Sequence, residues 1–82
     1  MLVKVLFFAR LKEQLGEASI QVELAEGETS QALKQKLIER GDKWQALADN
    51  SILMAVNQQH VSEAVALHHG DELAFFPPVT GG

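Results

Sequence analysis

Short apolar runs of period two alternate along the chain with stretches of helical period, and that alternation sets the elements. Residues 2–8, LVKVLFF, are β-branched and aromatic, too few for a stable helix, and read as a strand. Side chains alternate across a strand, so Val3, Val5 and Phe7 share one face and Leu2, Lys4, Leu6 and Phe8 the other. Lys4 needs water, which places Phe8 on the solvent side. In ARLKEQLG, Leu11 and Leu15 sit one helical turn apart with Gly16 behind them, the pattern of a one- to two-turn helix with a glycine stop. SIQVEL then alternates, with Ile20, Val22 and Leu24 inward and Ser19, Gln21 and Glu23 outward, as a second strand and hairpin partner of the first.

Thr29 or Ser30 can cap the next helix, which runs to about Arg40 with Leu33 and Leu37 on one face and Gly41 just past its end. DKWQALAD continues as a turn or short helix that buries Trp44 and Leu47. ILMAVN, residues 52–57, is apolar on both faces and reads as a strand covered on both sides at least in part. Residues 57–59 turn into a short strand around His60 and Val61. The Gly-Asp turn in LHHGDE leads to the last strand, ELAFF, with Glu72, Ala74 and Phe76 on one face and Leu73 and Phe75 on the other. Glu72 marks the solvent side, so Phe76 is a second outward aromatic. Pro77 and Pro78 cannot donate ladder hydrogen bonds, and the sheet stops there.

The order β, short α, β, α, β, β, β, with a helix lying across a mixed sheet, predicts an α+β, ubiquitin-like β-grasp fold. Residues 1–78 form the domain and Val79, Thr80, Gly81 and Gly82 a flexible C-terminal tail. In such a fold the first and last strands are parallel neighbours. Phe8 and Phe76 then lie side by side as an aromatic patch beside the tail, a docking surface.

Composition narrows the possible roles. Eighty-two residues hold one domain and one modest core. The formal charge is −4 and the seven Lys and Arg are scattered singly, so no basic stripe awaits nucleic acid. There is no cysteine, hence no disulfide, thiolate nucleophile or cysteine metal site. The N-terminus lacks a signal-peptide pattern, and no apolar run approaches the roughly 20 residues that span a bilayer; the expected location is the cytoplasm, with no membrane partner. No phosphate loop, GxSxG elbow or HExxH motif occurs. His68 and His69 read as solvated turn residues, His60 as structural or at an interface, and no metal site is expected. Glu13, Glu17, Glu23, Glu26, Glu28, Glu39 and Glu63 fall on exposed positions, where they read as solubilising charge.

The remaining chemistry is at the end, FFPPVTGG. A terminal carboxylate is inert toward nucleophiles at neutral pH, but as an acyl-adenylate it becomes an acyl donor. Glycine suits that role: it has no Cβ to obstruct attack, and a glycine pair adopts whatever backbone angles a narrow channel demands. Four extended residues reach at most about 14 Å, enough to enter a cleft on a partner.

GDELAFFPPVTGG at 70–82, with KVLFFAR at 4–10 and AVNQQ at 55–59, resembles the small, sulfur-carrier subunits of bacterial molybdopterin synthase along essentially the whole chain. The resemblance implies a ubiquitin-like carrier, non-catalytic alone and without a cofactor of its own. Its terminal glycine, here Gly82, is adenylated by an ATP-using activating enzyme and converted to a thiocarboxylate. The tail, with Val79, Thr80 and Gly81 giving access, then enters the large catalytic subunit and donates sulfur to cyclic pyranopterin monophosphate, in a heterotetramer with two of each subunit. Phe8 and Phe76 match docking positions of that family, and Pro77 and His60 belong to the same expected surface. At position 60 the family can carry an apolar residue, so His60 makes a modest pH dependence of docking an expectation. Other readings of the Gly-Gly ending are a carrier for thiamine or tRNA thiolation, a modifier forming isopeptide bonds through Gly82, and a plain interaction module.

Overall fold

The computed structural model describes residues 1–78, and the expectations placed on Val79, Thr80, Gly81 and Gly82 lie outside the described residues. Period-two burial appears first in β1, Leu2–Phe7, where Val3, Val5 and Phe7 are buried and Lys4 is exposed. The chain continues through α1 (Arg10–Leu15), β2 (Ser19–Glu23), α2 (Ser30–Ile38), a 3-10 helix (Asp42–Ala48), β3 (Leu53–Val56), β4 (Gln59–Val61) and β5 (Glu72–Phe76). The described residues form one five-stranded sheet in the order β2-β1-β5-β3-β4. β1 and β5 are parallel in its centre and every other pairing is antiparallel. This is the expected β-grasp arrangement.

Local chemistry accounts for the element ends. Gly16 stops α1 in the left-handed region at φ 72°, its N–H donating to the Lys12 carbonyl. Thr29 caps α2, its hydroxyl accepting the Ala32 N–H at 3.1 Å. Its neighbour Ser30 does something else. Fully buried, it receives the Val65 N–H on its hydroxyl at 3.1 Å and donates its own N–H to the Val65 carbonyl at 2.8 Å, tying the start of α2 to the loop before β5. α2 ends at Ile38, two residues short of the expected Arg40. The Arg40 and Gly41 N–H groups bond to the Leu37 and Ile38 carbonyls, and this tighter turn leads into the 3-10 helix.

The core lies between one face of the sheet and the helices. Leu11 and Leu15 of α1, Leu33 and Leu37 of α2, and Trp44 and Leu47 of the 3-10 helix are buried against Val3, Val5, Phe7, Leu73 and Phe75. Each such side chain contributes roughly 1.5–3 kcal/mol through area removed from water. Phe7 is the centre of an aromatic stack, 6.0 Å from Phe75 and 5.8 Å from Trp44 between ring centroids. Arg40 and Lys43 place their cationic groups 5.0 and 5.6 Å from the Trp44 ring centroid. The helices cover one face only. No described helix is long and apolar enough to cross a membrane.

Candidate functional site: an apolar trough on the open sheet face

Strand register determines what the uncovered face displays. One row crosses four strands: Leu6 pairs with Ala74, Ala74 with Ala55, and Ala55 with His60. The two alanines in its middle are short enough to be largely shielded, at 8 and 9% exposure, and form a floor. The Phe8 N–H donates to the Phe75 carbonyl at 3.2 Å, extending the parallel pairing one step beyond Phe7 and Phe75. Phe8 thereby joins Phe76 in the next row, with Leu53 as Phe76's partner on β3. On the opposite side, Lys4 and Glu72 are register partners. The result is a trough of about 570 Å³ with an alanine floor, lined further by Leu6, Phe8, Phe76, Gln58 and Glu72.

The expected docking residues thus converge. Phe8 is 48% exposed, more than any other large hydrophobic side chain among the described residues, and Phe76 is half-buried. His60 stands at the β4 end of the alanine row, its ring edge-on to Phe76 with centroids 6.4 Å apart. Pro77 is half-buried and Pro78 exposed immediately after β5, so the chain leaves the sheet beside Phe76.

Two features were beyond sequence reading. The alanine floor was written only as a short residue among large ones in LMAVN and ELAFF; register was needed to place Ala55 beside Ala74. The other is a polar clamp at the Glu72 end. Asn57 donates from Nδ2 to Asp71 Oδ1 at 3.1 Å, while its Oδ1 accepts the Glu72 N–H at 3.0 Å. The hydrogen bond from Asn57, and then that from the His68 N–H, hold the Asp71 carboxyl below its ordinary range. Asn beside a turn was the available signal.

Elsewhere the chemistry is sparse. A larger hollow of about 670 Å³ lies on the helical side between α1 and the 3-10 helix, lined by polar groups including Arg10, Gln14 and Asp49. Asp49 is held below its ordinary range first by the Ser51 N–H and hydroxyl, with Arg10 adding a smaller effect. His68 and His69 are exposed, and His69 Nδ1 accepts the Leu2 N–H at 3.0 Å. Among the described residues no group of three or more His, Asp and Glu side chains is placed to hold a metal ion.

Comparison with known proteins bears on this surface. The model of the ThiS family matches residues 5–82. The molybdopterin synthase sulfur carrier subunit of Escherichia coli K12 is 48% identical over 82 residues, covering 99% of this chain and 100% of the relative. The protein of the same name from Haemophilus influenzae is 44% identical with the same coverage. Among solved structures, SAMP1 from Haloferax volcanii superposes with a TM-score of 0.81 at 26% identity, covering 100% of both chains.

Proposed function

Because the chain belongs to the ThiS family, we propose that it is the sulfur carrier of molybdopterin synthase in molybdenum cofactor biosynthesis. The observation that carries the reading is its 48% identity, over the full length of the relative, to a sulfur carrier subunit of that enzyme. The trough supports it from the side of geometry. An apolar floor with an exposed aromatic wall suits a protein partner, and the chain leaves the sheet beside that wall at Pro77.

The reacting group is the Gly82 carboxylate. One of its oxygens attacks the α-phosphorus of ATP in a separate activating enzyme, forming the acyl-adenylate and releasing pyrophosphate. A hydrosulfide-level sulfur donor then adds at the carbonyl carbon and expels AMP, leaving a thiocarboxylate with no net oxidation. The large synthase subunit receives the tail, sulfur passes to cyclic pyranopterin monophosphate, and water returns Gly82 to the carboxylate. Val79, Thr80 and Gly81 carry the acyl group into each active site. ATP belongs to the activating enzyme; the carrier needs no cofactor and is non-catalytic alone. The assembly is a heterotetramer of two small and two large subunits, and the cytoplasm supplies the ATP.

Deletion of Gly82 tests the reading. The truncated chain is expected to fold and to bind the large subunit, while supporting no conversion of cyclic pyranopterin monophosphate to molybdopterin. Conversion at the parent rate would refute it. Lysine-linked adducts through Gly82 with no sulfur transfer would select the modifier reading, and transfer only to thiamine or tRNA substrates would select the other carriers.

A further inference from the structure

The hairpin that borders the trough has a residue at odds with its shape. β3 ends at Val56 and β4 begins at Gln59, and these two are register partners, so Asn57 and Gln58 alone make the turn. Both have positive φ, 50° and 72°. A two-residue turn of this type favours Asn followed by Gly, because the left-handed conformation crowds a Cβ. Asn57 fits, and its side chain also makes the clamp to Asp71 and Glu72. Gln58 does not fit: the position suited to glycine carries a long amide. The folded chain gains little from that amide, since among the described residues the side-chain hydrogen bonds of the turn run through Asn57. Its location supplies the missing reason. Gln58 is exposed and lines the trough together with Phe8, Phe76 and Glu72.

We infer that Gln58 is a partner-contact residue on the polar lip of the docking trough, its primary amide pairing with a peptide group of the large subunit. A primary amide offers a donor and an acceptor in one plane, the complement of a peptide N–H and C=O. A polar rim around an apolar centre is also how protein interfaces are built. The inference rests on the docking reading above and deepens it by naming a contact. The unfavourable backbone geometry is retained because the side chain works in the complex rather than in the fold.

The test sets stability against affinity. Gln58→Gly relieves the crowded Cβ and removes the amide, whereas Gln58→Ala keeps the Cβ and removes the amide. Thermal unfolding and calorimetric titration with the cognate large subunit are measured for both. The glycine variant is expected to unfold a few degrees higher than the parent, and the alanine variant close to it. Both are expected to bind about fivefold more weakly, as the loss of one interfacial hydrogen bond predicts. Variants that bind as tightly as the parent overturn the inference alone, whatever their stability. A parent chain that does not bind the large subunit overturns the docking reading and the inference together.

Discussion

The His60 ring meets Phe76 edge-on, with centroids 6.4 Å apart, so a titratable group stands at the end of an otherwise apolar row. A partner that covers this face removes water from the imidazole. Its row neighbour on β3 is Ala55 and its aromatic contact on β5 is Phe76, neither of which stabilises a positive charge by ion pairing. Lys34 of α2 lines the adjoining hollow with His60. The carboxylates to weigh against it are Glu72, in the next outward position of β5 before Ala74, and Glu63, beyond the end of β4. Affinity for the large subunit is therefore predicted to be a few-fold lower at about pH 5.5 than at about pH 8. Titrations of the parent and His60→Leu check this: the slope should disappear in the variant, and identical curves would reject the role.

Phe8 should separate docking from folding. At 48% exposure its ring contributes little to the core, whereas in the proposed complex it would sit at the centre of the interface. Phe8→Ala is predicted to leave thermal unfolding within about 0.5 kcal/mol of the parent. Binding to the large subunit should weaken by about 2 kcal/mol, roughly 30-fold in Kd. Unchanged binding by calorimetry would remove the trough from the docking account.

Asp71 gives the fold an acid-sensitive point. The hydrogen bond from Asn57, then that from the His68 N–H, lower its carboxyl below the ordinary 3.8. The folded state thus favours the carboxylate more than the unfolded chain does. That stabilisation is present above 3.8 and is lost as pH falls through the lower folded value. Asn57→Ala is predicted to cost about 1 kcal/mol at neutral pH. It should also reduce the loss below 3.8, measured as the unfolding midpoint against pH.

The faces of the sheet were legible because a charged residue marks the solvent side in each central strand: Lys4 assigned Phe8 outward and Glu72 assigned Phe76 outward. Helix ends with a chemical stop were legible too, as Gly16 and Thr29 show. What the residues did not reveal were relationships between distant positions. Ser30 reads equally well as a cap, and only tertiary placement brings Val65 to its hydroxyl. Asn57 and Asp71 are 14 residues apart, and their pairing follows from the adjacency of β3 and β5. Ala74 reads only as a small residue on the face of Glu72 and Phe76, and Ala55 as one position of an apolar strand, until register places them side by side next to the phenylalanines. Gln58 looked like an ordinary turn residue because its positive φ is a property of the folded hairpin.

The central claim is that Gly82 carries sulfur, and intact mass of the untagged protein from cells with its activating system present tests it most directly, followed by fragmentation of the C-terminal peptide. The account predicts a species in which one oxygen of the Gly82 carboxylate is replaced by sulfur. A carboxylate alone, with the activating enzyme, ATP and sulfur source shown to be active, would contradict it.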